Sequence, residues 1–157
     1  MDERPEWLNE RERRAWYGFL TMQEDIRRHM NRQLIREAGI SLADFAVLSV
    51  LRQTPETPLR VFELREALRW EKTRLTHQIS RMVSRGLVER QSCVEDSRGS
   101  HVALTEKGRA LIDKAGPLHL RYVRRFFIEV LSPRQLDTLA ALSEAVLENL
   151  KEDPFDE

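Results

Sequence analysis

Cysteine is almost absent from this sequence: Cys93 stands alone among 157 residues. A single cysteine cannot form a disulfide within the chain, which excludes a disulfide-rich scaffold and is typical of a reducing compartment. Long apolar runs are also lacking, and none approaches the roughly 20 residues that span a bilayer. Because the N-terminal stretch 1–10 is polar and has no apolar signal core, we expect a cytoplasmic protein with no membrane partner.

Glycine and proline are scarce, with six of each, and this scarcity favours a mainly helical fold. Apolar residues recur at helical spacing over 6–38, 61–68, 72–85 and 105–130, and further helices are expected after the capping residues Ser41 and Ser132. Gly116 and Pro117 are expected to kink or split the helix that begins after Thr105. Two short segments, 87–91 and 101–104, are predicted strands. The sequence therefore predicts a mainly α fold with a small β hairpin.

The net charge is zero, because 26 basic residues balance 26 acidic ones. The charges are nevertheless unevenly distributed. Residues 60–98 carry nine basic and six acidic side chains, whereas residues 129–157 carry two basic and eight acidic ones. A basic middle beside an acidic tail is compatible with a local phosphate-binding face. Charge runs also occur on ordinary solvated surfaces, so this distribution alone does not identify a partner.

The predicted helix 72–85 has two different sides. One is apolar and is expected to be buried; it consists of Leu75, Ile79, Met82 and Val83. The other has no carboxylate and consists of Thr73, Arg74, His77, Ser80 and Arg81. Arg74 and Arg81 are about 700° apart in helical rotation, so we expect them to point in one direction, opposite the apolar side. Such a basic face is suited to the major groove of DNA.

Both ends of the chain form long amphipathic segments. The first helix has an apolar stripe made of Trp16, Phe19, Ile26, Met30 and Leu34, and a second apolar stripe lies in 136–150. Long helices in a short chain present more apolar surface than one small lobe covers. We therefore expect an obligate homodimer, whose two-fold symmetry requires a pseudo-palindromic DNA site. The alternative is a long helix lying across its own domain.

The segment after the basic helix resembles the MarR family of winged helix-turn-helix transcriptional regulators. The run from Arg81 to Arg90 is similar to the family, and so is a wing signature made of Asp96, Arg98, Val102, Leu104, Thr105 and Gly108. The resemblance implies one domain over 1–157, with a winged-helix DNA-binding lobe at about 41–104. Dimerisation helices at about 6–38 and 105–151 would flank this lobe. Glu71 departs from the family, whose members commonly have a small capping residue there.

The resemblance also implies a function. It predicts a sequence-specific regulator that binds double-stranded DNA, acting as a repressor released by a small-molecule effector. Arg98 would enter the minor groove, with Asp96 holding its guanidinium in place; the alternative is an ordinary surface ion pair. The basic helix would contact bases or phosphates through Lys72, Thr73, Arg74, Thr76, His77 and Arg81.

A small lipophilic or phenolic effector is a further partner that the resemblance implies. Its pocket would use Trp16, His119 and Tyr122, although aromatic residues at helical spacing are also ordinary core residues. Cys93 is interpreted as an inert thiol rather than a redox sensor, even though Arg90 nearby would lower its pKa modestly.

Catalytic and metal-binding patterns are missing from the sequence. The four histidines have no metal-ligand spacing, and we find no glycine-rich phosphate loop and no nucleophile–base pair. We therefore expect no cofactor and no enzyme activity. The competing function is a winged-helix module that binds protein instead of DNA, and a steep salt dependence of duplex binding would distinguish the two.

Overall fold

A computed structural model describes residues 7–92 and 100–151. The helices are α1 (Glu10–Ala38), α2 (Leu42–Gln53), α3 (Val61–Leu68), α4 (Lys72–Ser84), α5 (Glu106–Phe126) and α6 (Pro133–Lys151), with a 3-10 turn at Ile128–Val130. The strands are β1 (Leu59–Arg60), β2 (Val88–Ser92) and β3 (Ser100–Leu104). The chain divides into two compact units, Met1–Leu118 and His119–Glu157.

The helix starts follow local capping chemistry. Asn9 and Glu12 form a reciprocal capping box that starts α1 at Glu10, rather than at Glu6 as predicted; Glu6 lies outside the described residues. Ser41 caps α2 in the same way, as the sequence predicts. The hydroxyl of Ser132 accepts from the backbone of Gln135, whose side chain accepts in return. Each box satisfies two backbone N–H groups that a helix end leaves unpaired.

The core of the first unit lies between α2, α3, α4 and the sheet. Its fully buried side chains, each less than 2 % exposed, are Ile40, Val47, Leu48, Leu64, Leu75, Ile79, Met82, Leu87, Val88 and Val102. Each such side chain contributes about 1.5–3 kcal/mol when it leaves water. Leu75, Ile79 and Met82 confirm three of the four apolar positions predicted for α4. Val83 is 37 % exposed, so the prediction that it is buried is wrong.

The sheet is antiparallel, with strand order β1-β3-β2. Val88 pairs with Leu104 and Arg90 pairs with Val102, which gives the predicted hairpin. Strand β1, in which Leu59 pairs with Val102, was not predicted from the sequence. This strand has only two residues and directly follows Pro58, so it is too short to show an alternating pattern.

The second unit contains the end of α5 and all of α6. Within Pro133–Lys151, every residue of which the structure describes, none is buried. Tyr122 and Phe126 lie with ring centroids 4.7 Å apart. The helix predicted over 105–130 ends at Phe126. Pro117 lies inside this helix without splitting it, because one proline costs about 3 kcal/mol and the remaining helical turns outweigh that cost.

Candidate nucleic-acid interface

The solvent-facing side of α4 is polar and has no carboxylate. The helix, all of which the structure describes, buries Leu75, Gln78, Ile79 and Met82 and exposes Lys72, Thr73, Arg74, Thr76, His77, Ser80, Arg81 and Ser84. The structure therefore places all six predicted DNA-contacting residues of this helix on its exposed surface. The Thr76 hydroxyl donates to the Lys72 carbonyl oxygen at 2.8 Å, so its oxygen keeps only its acceptor function.

Arg74 and Arg81 share a direction, but they do not lie opposite the apolar side. At 100° per residue, the middle of the exposed side falls at Thr73 and His77, and both arginines lie toward the border next to buried Gln78. Their contacts agree with this placement, because Arg81 Nη2 donates to Gln78 Oε1 at 2.9 Å. The predicted geometry is corrected accordingly: both arginines flank the exposed face.

A tight turn presents the start of α4. Arg69 ends α3 in the left-handed region, with φ 56°, and Trp70 and Glu71 lead directly into Lys72. Glu71 makes no side-chain capping bond, yet α4 begins at the predicted residue. The Arg74 guanidinium lies over the Trp70 ring, 4.0 Å from its centroid. A cation held over an aromatic face is restricted in its motion before it binds anything else.

A buried carboxylate links α2 to α4. Asp44 is 2 % exposed; its Oδ2 accepts from Arg85 Nη1 at 2.6 Å and its Oδ1 from Gln78 Nε2 at 2.7 Å. Burial raises the pKa of Asp44, but hydrogen bonds from Arg85 and the Ser41 backbone, with the positive charge of Arg85, outweigh burial and hold that pKa below its ordinary value of 3.8. The carboxylate is therefore ionised and paired at neutral pH.

Arg90 connects the hairpin to α4. From β2, its Nη2 donates to the Ser80 hydroxyl at 3.3 Å and its Nη1 to the Ser100 hydroxyl at 3.5 Å. Four residues of this contact network were not predicted as site residues: Asp44, Gln78, Arg85 and Arg90. Of these four, only Gln78 could have been recognised from the sequence, because it is a polar residue at the edge of the apolar side of a predicted helix.

The second half of the wing signature is a packing junction. The Thr105 hydroxyl donates to the Gly86 and Leu87 carbonyl oxygens and accepts from the Gly108 backbone N–H at 3.0 Å. A Cβ atom at Gly108 would lie 2.0 Å from the Leu87 carbonyl oxygen. Threonine therefore caps α5, while glycine lets α5 approach the start of the hairpin.

The remaining predicted site residues are those of the wing and of the effector pocket. Asp96, Arg98 and Cys93 lie outside the described residues. Trp16 belongs to the first unit and is half exposed. His119 and Tyr122 belong to the second unit, where burial lowers the pKa of His119 and raises that of Tyr122. The effector pocket that would combine these three residues stays a prediction.

Two other kinds of site are absent from the described ranges 7–92 and 100–151. No group of three or more histidine, cysteine, aspartate or glutamate side chains within them is placed to hold a metal ion. No helix in the same ranges combines the length and apolar character needed to cross a membrane.

Comparison with known proteins identifies the family. A model of the MarR family matches residues 38–99. AbsC, a MarR family transcriptional regulator from Streptomyces coelicolor, superimposes with a TM-score of 0.87 at 32% identity, covering 95% of this chain and 100% of that chain. Sco3205, a MarR family regulator from the same organism solved in complex with DNA, gives a TM-score of 0.88 at 29% identity, covering 97% and 95%.

A curated relative agrees with the two solved structures. The uncharacterized HTH-type transcriptional regulator YkoM from Bacillus subtilis (strain 168) is 29% identical over 107 residues, which is 68% of each chain. The resemblance carried by the wing signature is thereby confirmed, and so is the winged-helix fold. The chain belongs to the MarR family of transcriptional regulators.

Proposed function

We propose that this protein is a homodimeric regulator that binds a specific pseudo-palindromic site on double-stranded DNA, with α4 in the major groove. The observation that carries the proposal is the exposed, carboxylate-free face of α4, which a buried core and the Asp44 contacts hold in place. Phosphates repel carboxylates and attract arginine and lysine. A helix docking onto a protein partner has no such requirement, and its contact surface would need an apolar centre.

Support for a DNA partner also comes from Sco3205, whose structure was solved with DNA and matches 97% of this chain. On this basis Thr73 and His77, at the middle of the exposed face, lie toward the base edges. Arg74, in the first turn, is the proposed base reader, and Arg81, two turns later, is the proposed phosphate contact. Lys72 and Thr76 complete the face. Asp96 and Arg98 remain the proposed wing contacts.

The dimer is proposed from exposed apolar surface. Large apolar side chains of α6 and of the first half of α1 are exposed in the single chain; they are Trp16, Tyr17, Phe19, Leu20, Met22, Leu142, Val146, Leu147 and Leu150. Contiguous exposed apolar surface marks an interaction site in a monomer. A second copy of the chain is the proposed occupant, because a two-fold dimer presents two α4 helices to two half-sites one helical turn apart.

Repression relieved by a small lipophilic effector is the finer part of the proposal. Trp16, His119 and Tyr122 are retained as one proposed pocket. A second proposed position is a groove of about 540 Å³ lined by α1, α2, Trp70 and Arg74. A flat aromatic effector there would compete with Arg74 for the Trp70 ring, so it would alter a proposed DNA contact directly.

Selection from random duplex DNA tests the function. The full chain should enrich one pseudo-palindromic sequence, with half-site centres about 10 base pairs apart. Repeating the selection with Arg74→Ala should relax the preference at a defined base pair in each half-site, whereas Arg134→Ala, on α6, should leave it unchanged. Recovery of unenriched sequence from the wild-type chain would contradict the proposal and favour the protein-binding alternative.

A further inference from the structure

Gln78 is a buried amide whose two ends are both engaged. It is 4 % exposed, and it lies at the edge of the buried side of α4, next to Arg74 and Arg81. Its Nε2 donates to Asp44 Oδ1 at 2.7 Å, and its Oε1 accepts from Arg81 Nη2 at 2.9 Å. The amide therefore connects a buried carboxylate to an exposed arginine on the proposed DNA-binding face.

The direction of this connection is fixed by chemistry. An ionised carboxylate can only accept hydrogen bonds, so Asp44 requires the NH₂ end of the Gln78 amide. The carbonyl end of the amide is then turned toward Arg81, and a guanidinium can only donate. An amide rotated by 180° would lose both bonds. Arg81 consequently meets a fixed acceptor rather than an adaptable one.

The negative charge of Asp44 does not oppose DNA binding in this arrangement. Arg85 Nη1 lies 2.6 Å from Asp44 Oδ2, one helical turn after Arg81, and balances the carboxylate charge. The Ser41 backbone N–H adds a bond to the same oxygen at 2.9 Å. The carboxylate can therefore anchor Gln78 without adding an unpaired negative charge behind the basic face.

We propose that Gln78, anchored by Asp44, is a positioning residue that pre-orients Arg81 for its contact with the DNA backbone. The proposal rests on the proposed function, because it assigns Gln78 a role in that same DNA-binding face. An arginine whose guanidinium is held before binding loses less side-chain entropy when it meets a phosphate. Gln78 itself need not touch DNA, and it contributes no charge to the interface.

The absence of charge on Gln78 gives the two residues different signatures in a binding titration. Because the proposed homodimer places one Arg81 at each of two half-sites, removing the Arg81 charge should weaken binding and reduce the slope of log affinity against log salt by about one per half-site. Removing only the support from Gln78 should weaken binding while leaving that slope unchanged, since the number of neutralised phosphates stays the same. A residue that acts only through fold stability would move neither quantity at temperatures well below unfolding.

The experiment is a double-mutant cycle with full-length protein and the selected duplex. Its variants are Gln78→Met, Arg81→Met and their combination, with Gln53→Met as the matched control at the end of α2. Thermal unfolding followed by circular dichroism verifies that each variant is folded at the titration temperature. Gln78→Asn is the milder variant: it keeps the amide but is one methylene too short to reach both partners.

We expect Gln78→Met to weaken duplex binding by about tenfold, as for loss of a hydrogen bond to a charged group, with an unchanged salt slope. Gln78→Asn should act in the same direction, and Gln53→Met should bind like the parent. In the Arg81→Met background, Gln78→Met should cause less than about a twofold further loss, because coupled residues are not additive.

Three outcomes would overturn the inference. Parent-like affinity of the folded Gln78 variants would show that Arg81 needs no support, and an equal loss in both Arg81 backgrounds would show that Gln78 acts independently. A parent protein that binds duplex DNA without salt dependence would overturn the proposed function itself. The cycle therefore separates failure of the positioning role, in which the parent still binds, from failure of the DNA-binding role.

Discussion

The winged-helix lobe and α6 differ in how far their apolar side chains are buried. In the lobe, Leu48 and Ile79 are completely buried by the chain's own α2, α3, α4 and sheet. On α6, Leu142 is 48% exposed, Val146 57% and Leu150 53%. The apolar residues of the lobe are therefore buried within a single chain. Those of α6 stay exposed to solvent in the single chain, so burying them requires a binding partner.

Polar groups show the same contrast. Asp44 is buried in the lobe and accepts bonds from Gln78, Arg85 and Ser41, so the lobe positions charged side chains with long-range contacts. The polar contacts of α6 given above are local ones, between Ser132 and Gln135 at its start. This contrast supports the proposal that the lobe recognises DNA and that the terminal helices associate two chains.

The largest expected effect comes from charging the apolar stripe of α6. Val146→Glu together with Leu150→Glu should raise the dimer dissociation constant by at least roughly a thousandfold. Each substitution occurs once in each protomer, so a two-fold interface would bury four added carboxylates. Sedimentation velocity should show a monomer that retains the circular dichroism of the lobe. Ala141→Glu, on the opposite side of α6, is the matched control and should remain dimeric. A double variant that sediments as a dimer would remove the contrast on which the assignment depends.

Crowding the lobe at Gly108 should have the next largest effect. Gly108→Ala places a Cβ atom 2.0 Å from the Leu87 carbonyl oxygen, and neither backbone can move without disturbing the hairpin. We expect the free energy of unfolding to fall by about 3 kcal/mol. Gly116→Ala is the control, since its Cβ would meet nothing within 4 Å, and it should not destabilise the protein. Chemical denaturation measures the free energy of unfolding of both variants. Equal values would show that close packing of Gly108 against Leu87 does not contribute to stability.

The wing tip should contribute to affinity without contributing to the fold. Arg98→Ala is expected to weaken DNA binding by about 1–3 kcal/mol and leave the melting temperature unchanged. Asp96→Ala should act in the same direction with a smaller effect. Fluorescence anisotropy at moderate salt measures both variants. If Arg98→Ala binds the selected duplex like the parent, the assignment of the wing is wrong.

A smaller effect is expected from the buried carboxylate, and it depends on pH. The pKa of Asp44 is lowered in the folded state, so its contribution to stability is complete above about pH 4 and is lost as the pH falls through the folded-state pKa. Asp44→Asn should cost about 1–2 kcal/mol at neutral pH and unfold with less dependence on acid. Denaturant titrations from neutral pH to pH 3 compare it with the parent, and parallel curves for the two proteins would contradict this linkage.

Much of the lobe could be predicted because its signals are local. Thr105 and Gly108 are three residues apart and define a helix start by themselves, and the buried residues of α4 repeat at helical spacing. The exposed position of all six proposed contacts on α4 follows from the same periodicity. Val83, at the edge of the apolar side, was assigned to the wrong environment, and Arg74 and Arg81 flank the exposed face instead of lying opposite the apolar side.

The contacts that shape the site could not be predicted because they join distant segments. Asp44 is 34 residues from Gln78 and 41 from Arg85, and nothing in either segment specifies the other. The sequence shows Asp44 only as part of a capping box, a role that it also has. The flanking position of Arg81 likewise became visible only with its bond to Gln78.

One titration tests the central claim most directly: the affinity of the wild-type protein for its selected duplex as a function of salt. If two α4 faces and two wings neutralise six or more phosphates, affinity should fall by roughly a thousandfold or more between about 50 and 200 mM salt. A scrambled duplex should bind more weakly with a similar slope. An affinity that changes by less than about twofold over that range would show that the basic face of α4 does not contact DNA, and would contradict the account.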